Sequence, residues 1–359
     1  MIPLDSLTMH DLIRMTAERN ASDLMVKAHQ VPMVKRYDEV SPLNPELPVL
    51  DDRTVKRMLG DMMNDRQKRI FDETMEMDVG FTVEGLCRVR CNIYMQKGTW
   101  ASVSRVVPLK IKSIQELGLP AVLSELTNHK NGLILVTGPT GSGKTTTLAA
   151  MLDLINQQRS CNMVTIEDPL EFVHVDKKAY VIQREVGIDT MEFQPAMRAA
   201  LRQAPDVILI GEMRDITTMG IALQAGETGH LVYSTVHTSS AYETMDRIIN
   251  MFPPHEKPYM CQRMGGSLRA IIAQKLIPRA DGEGRVAANE ILICTPTVTK
   301  KIEDGHFSDL YSLMNEGEFW GMQTMNQSLV RYVKAGIISE ETAIRNAGVV
   351  SELKQMLRR

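Results

Sequence analysis

The apolar positions of this 359-residue chain change their period along the sequence. Residues 8–19 place Met9, Leu12, Ile13 and Thr16 on one helical face. Extended segments are expected near 23–28 and 31–36. Pro42 to Pro48 reads as a proline-rich loop, and Asp51-Asp52 opens a helix running to Met63. From Asp78 to Val107, Val, Ile, Phe, Tyr and Thr recur between turn signals at Gly85 and Gly98, the pattern of an antiparallel sheet. From about residue 121, continuous apolar runs at 133–137, 162–166, 206–210 and 231–235 alternate with helical stretches. Runs without alternation suit strands covered on both faces, so this part predicts an α/β domain with a largely parallel sheet. Beyond Thr297 helical patterns dominate, as at Gln327 to Lys334 and Ser339 to Ala347. The expected organisation is an α+β domain over 1–107 and a linker over 108–120 that holds a short helix. An α/β core over 121–296 and a helical region over 297–359 complete it.

The sharpest chemical signal is Gly138-Pro139-Thr140-Gly141-Ser142-Gly143-Lys144-Thr145, a complete G-x-x-x-x-G-K-[ST] loop. The strand-like run Leu133–Val136 precedes it, and Thr146 opens a helix-forming run to Leu154. Glycines let backbone N–H groups turn inward around phosphate oxygens. Lys144 offers charge to the terminal phosphates, Thr145 a hydroxyl to Mg²⁺, and the helix N-terminus a partial positive charge. Nucleotide binding is therefore expected.

Three further constellations follow. Asp206 to Glu212 is an apolar strand ending in a carboxylate, which suits Mg²⁺-bound water or the attacking water. Gly211 stands where an Asp is usual, so Glu212 must carry that role. Val164 to Pro169 is a second strand ending in acids, Glu167 and Asp168, at the edge where such sheets bind ligands. His230 and His237 bracket a third strand, with no metal-site spacing to Cys or another His. In the first domain Arg88 and Arg90 face one side of a strand, with Arg105 nearby. Acidic partners within the domain are one explanation of these charges; phosphates held from a second domain are the other.

Composition narrows the classes. Hydrophobic residues make up 43% and charged residues 24%, ordinary for a globular protein, and the net charge is −3. That charge, with 5% aromatics, argues against a nucleic-acid channel, so no direct nucleic-acid partner is expected. The 25 Met residues read as packing material. Five cysteines, none in C-x-x-C, suit a reducing cytoplasm, and Cys87 and Cys91 are expected as buried free thiols. The opening Met-Ile-Pro-Leu-Asp-Ser lacks a signal-peptide pattern, and no apolar run reaches a membrane span. Any membrane association is expected through a protein partner.

In combination these motifs resemble the type II/type IV secretion ATPase superfamily, and within it most nearly the type IV pilus retraction ATPases of the PilT/PilU type. The resembling segments are GPTGSGKTTTLAAM (138–151), VTIEDPLEFVH (164–174, an Asp box), RQAPDVILIGEMRD (202–215, a Walker B segment) and TGHLVYSTVHTSSA (228–241, a His box). Ala21-Ser22-Asp23-Leu24 resembles an early family signature. The resemblance implies a PAS-like first domain and a RecA-like second domain, joined in a homohexameric ring with ATP at the cleft between domains. It implies phosphate contacts from Arg90 and Arg105, with Arg88 less defined, and nucleotide contact from His230 or His237. Glu212 is the implied catalytic carboxylate, sharing Mg²⁺ and water with Glu167, beside Lys144. The implied activity is ATP hydrolysis that drives pilus retraction and twitching motility. The implied setting is the cytoplasmic face of the inner membrane, against a pilus platform protein. Extension and secretion motors of the superfamily add an N-terminal domain and a four-cysteine zinc insert; neither is expected here, which favours retraction. Two stretches depart from the pattern: Arg36-Tyr37-Asp38-Glu39, and Thr297–Ile302, set against an AIRNLI-like segment of the principal retraction motors. The second departure leaves an alternative, an accessory PilU-type paralogue with little activity of its own that supports a principal motor.

Overall fold

Strand alternation organises the first half of the chain. In the strand Cys87–Gln96, Cys87, Val89, Cys91 and Ile93 turn inward while Arg88, Arg90 and Asn92 turn outward. The computed structural model describes residues 4–36, 39–213 and 215–358. Tyr37 and Asp38 of the atypical stretch, and Arg214 of the Walker B segment, lie outside them. The chain divides into two units, Met1–Lys110 with Glu171–Val173, and Ile111–Leu170 with His174–Arg359.

The first unit carries β1 (Asp23–Lys27), β2 (Met33–Arg36), β3 (Glu39–Pro42), β4 (Glu76–Val83), β5 (Cys87–Gln96) and β6 (Thr99–Pro108). They form one antiparallel sheet in the order β3-β2-β1-β6-β5-β4. Helices Met9–Glu18, Asp52–Gly60 and Asp65–Thr74 accompany it, and Leu12, Ile13, Val55, Met58 and Phe71 join its core. Each helix starts on a side-chain cap: Thr8, Asp51 and Asn64 accept from the third backbone N–H. The helix Asp65–Thr74 and the strand β3 are not among the expected elements. The helix buries Phe71 alone, and β3 is exposed throughout, so neither writes an apolar stripe. Cys87 and Cys91 are buried free thiols, and burial pushes the Cys91 thiol up to about 11.

The short helix expected within 108–120 is a single turn. Ser113 and Glu116 bond each other's backbone N–H groups, as in a capping box, and the N–H groups of Leu117, Gly118 and Leu119 return to Ser113 O, Gln115 O and Ile114 O, after which the helix does not continue. The first helix of the second unit is Val122–Leu126.

The second unit carries β7 (Gly132–Thr137), β8 (Asn162–Glu167), β9 (Tyr180–Glu185), β10 (Val207–Ile210), β11 (Leu231–Val236), β12 (Leu268–Pro278) and β13 (Arg285–Ile293). Their order is β13-β12-β7-β11-β10-β8-β9, parallel except for the β12–β13 pair. Every residue of β7, β10 and β11 is buried, because helices cover both faces. One face packs on helices Phe193–Ala200, Ile216–Glu227, Ala241–Asn250 and Lys257–Ser267. The other packs on the helix Lys144–Gln158. Helices Met325–Lys334, Glu340–Asn346 and Val350–Leu357 form a smaller core with Ile277 and Ala288 of the β12–β13 pair. Among the described residues no helix is long and apolar enough to cross a membrane.

Candidate nucleotide-binding site

Register decides which residues meet. Val236 pairs with Thr137, and Ile210 with both Ser234 and Ile166, so β7, β11, β10 and β8 finish together at one edge. That edge receives the glycine-rich loop after β7, Glu167 closing β8, Gly211-Glu212 after β10 and His237 after β11. It is where a parallel sheet of this type presents ligand-binding groups.

The loop itself is shaped for close backbone approach. Gly143 has φ +83°, and a Cβ there would lie 2.9 Å from Gln274 Nε2. Gly143 also precedes the fifteen-residue helix Lys144–Gln158 and gives it no side-chain cap, which leaves its first-turn amides for an anion. Lys144 is buried, and its ammonium donates to the carbonyls of Gly138 (2.8 Å) and Pro139 (3.0 Å). Buried charge needs such acceptors. Thr145 and Thr146 are half-buried in the first helical turn.

Glu212 and His237 are brought together: His237 Nε2 lies 3.2 Å from Glu212 Oε1, with about a third of each side chain exposed (37% and 27%). Glu167 is buried at the end of β8. Gly211 has a packing reason, since a Cβ there would lie 3.2 Å from Ile166 O and 3.4 Å from Glu167 Cα. An aspartate at 211 would push β10 away from the end of β8, and Glu212 takes the next, half-buried position instead. His174, in the segment after Glu167, is buried, and burial pushes its imidazole down to about 4; Asp153 opposes that shift and Lys177 adds to it.

The structure separates His230 from this group. It precedes β11, at the amino edge of the sheet, and strand rise puts it about 20 Å from the loop in its own chain. Its Nδ1 lies 3.0 Å from Ala225 O and 3.3 Å from Thr228 Oγ1, which ties the imidazole to the end of the preceding helix. The arginines sit in the first unit. Arg90 and Arg105 are cross-strand partners on β5 and β6. Arg105 donates to Asp23 at 3.1 Å and Arg88 to Thr82 at 3.3 Å, while Arg90 lies 3.6 Å from Glu171. Acidic partners inside the first unit therefore exist for Arg105, in Asp23, and for Arg90, in Glu171.

Residues 100–333 match the family described as "Type II/IV secretion system protein". The chain belongs to this family. It is 44% identical to the type IV pilus retraction ATPase PilT of Pseudomonas aeruginosa, over 94% of this chain and 98% of that protein. It is 37% identical to the type IV pilus ATPase PilU of the same organism, over 97% of this chain and 90% of that protein. A crystal structure of the pilus retraction motor PilT with bound ADP superimposes with a TM-score of 0.91 at 40% identity, covering 98% of this chain and 100% of that one.

Thr297–Ile302, the stretch that departs from the AIRNLI-like pattern, lies in the helix Pro296–Glu303. Gln274 also touches the glycine-rich loop, and sequence reading passed over it. Gln274 and Asn289 are polar breaks in the apolar runs that became β12 and β13, and those breaks were the available signal.

Proposed function

We propose that this chain is an ATP-hydrolysing subunit of a pilus retraction motor. What carries the reading is one sheet edge that gathers an uncapped glycine-rich loop, buried Lys144, Glu167, and Glu212 beside His237. Similarity to PilT over nearly the whole chain adds the biological setting. Thr145, Glu167 and Glu212 offer a hydroxyl and two carboxylates, the hard oxygen donors that fit Mg²⁺. Bound Mg²⁺ neutralises and orients the phosphate oxygens of ATP. Lys144 and the amides of the loop bind those phosphates from the side of the helix. Glu212 orients the attacking water and accepts its proton, and His237 holds the Glu212 carboxylate in place. Arg90 and Arg105, with Arg88, supply positive charge to the nucleotide from the first unit. His230 has no part in this site within its own chain.

In this reading the subunit works in a homohexameric ring at the cytoplasmic face of the inner membrane. It drives pilin withdrawal through a platform protein, and it meets the membrane only through such partners. The higher identity to PilT, 44% against 37% to PilU, favours a principal motor over an accessory paralogue. Steady-state ATPase activity of the purified chain beside its Glu212→Gln variant tests this. The expected result is turnover that falls about a hundredfold or more in the variant while nucleotide still binds. Absent turnover in both, with ATP bound, would assign the chain to the accessory class.

A further inference from the structure

Gln274 lies just past the last pair between β12 and β7, where Ala273 meets Thr137. It is almost fully buried. Its Nε2 donates to the carbonyl of Ser142 at 2.7 Å. Its Oε1 accepts from Thr147 Oγ1 at 2.8 Å and from Asn289 Nδ2 at 2.9 Å. The amide orientation is fixed by its neighbours, because the Ser142 carbonyl can only accept. Asn289 is held in turn: its N–H donates to Ser328 Oγ at 3.2 Å, and its carbonyl accepts from Gln323 Nε2 at 2.7 Å.

We infer that Gln274 is a positioning residue for the phosphate-binding loop, an inference that rests on nucleotide binding there. In a trans peptide the C=O and the following N–H point in opposite directions. Pinning the Ser142 carbonyl outward therefore points the Gly143 N–H into the cradle. Thr147, in the first turn of the loop's helix, and Asn289, on the neighbouring strand, fix the amide that does the pinning. The loop is thus preorganised by a side chain 132 residues further along the chain.

The Gln274→Glu variant separates positioning from bulk packing. A protonated carboxyl keeps one donor for the Ser142 carbonyl and one acceptor for Thr147 and Asn289. An ionised one sets an oxygen against that carbonyl with no donor between them. Burial raises the pKa of such a group, and Lys144 on the helix side opposes that rise. Lys275 and Glu290 alternate to the other face of their strands, where Lys275 donates to Asn346 O and Glu290 accepts from Ala241 N–H.

The measurement is ADP affinity by calorimetry, with Mg²⁺, from pH 5.5 to 8.5, each protein verified as folded at the assay temperature. The variant-to-wild-type ratio of Kd should grow by about tenfold from the acid to the alkaline end. A ratio that stays flat overturns the inference. Should the variant melt below the assay temperature, Thr147→Val decides: a Kd weakened by about threefold or more supports the positioning role, and an unchanged Kd overturns it. A wild-type chain that binds no ADP would instead overturn the nucleotide reading itself.

Discussion

The two edges of the seven-stranded sheet use the same strands and hold opposite kinds of polar group. At the amino edge, polar side chains close on backbone. Asp206 accepts from Asn162 N–H at 2.8 Å, Asn162 Nδ2 donates to Gln203 O at 2.7 Å, and Arg269 donates to Asn131 O and Oδ1 at 3.1 Å. His230 leans on Ala225 O in the same way. At the carboxyl edge, the helix after the loop starts without a side-chain cap, and Glu212 and His237 stay partly exposed beside each other. A polar residue at a strand end is therefore poor evidence of chemistry until its edge is known. One edge spends its polar groups on the fold, and the other keeps them for a ligand.

The contrast breaks most sharply at Lys144. Lys144→Ala should lower turnover by about a thousandfold while unfolding stays cooperative, since the charge lost is one aimed at phosphate. Near-normal turnover would end the assignment of this edge as the active one.

His174 gives the next largest effect, and it concerns stability. It follows the active edge in sequence but is buried and neutral, with a folded pKa near 4 against 6.5 when exposed. The unfolded chain takes the proton first, so the stability present above pH 6.5 is lost as pH falls through 6.5 toward 4. The loss amounts to about 3 kcal/mol. Urea unfolding across that window should show the slope, and His174→Leu should flatten it. An unchanged slope would mean that another group titrates.

The two histidines that bracket β11 give the finest comparison. His237→Ala should cost about tenfold in turnover through the freed Glu212. His230→Ala should leave turnover within about twofold and cost about 1 kcal/mol of stability, for a lost hydrogen bond. Equal kinetic effects from both would erase the distinction between the edges.

What sequence reading recovers is what writes a pattern. The loop at 138–145 is legible because its spacing is fixed by backbone geometry. The strands β7, β8, β10 and β11 are legible because burial on both faces demands unbroken apolar runs. The β12–β13 pair escapes because Gln274, Lys275, Asn289 and Glu290 interrupt its runs, and those interruptions are contacts that only the folded sheet creates. His237 and His230 look equivalent in the sequence, seven positions apart, and only register assigns them to different edges.

The place of β7 has a consequence for synthesis. The strand that launches the loop lies between β11 and β12, both of which follow it in the chain. The loop and its strand leave the ribosome well before either neighbour exists. At about 5–20 residues per second, roughly 7 to 26 s separate Ser142 from Gln274 on the growing chain. Throughout that interval the nascent chain lacks one wall of its nucleotide cradle. Until Gln274 emerges, the Ser142 carbonyl has no side-chain amide to hold it as it is held in the finished fold.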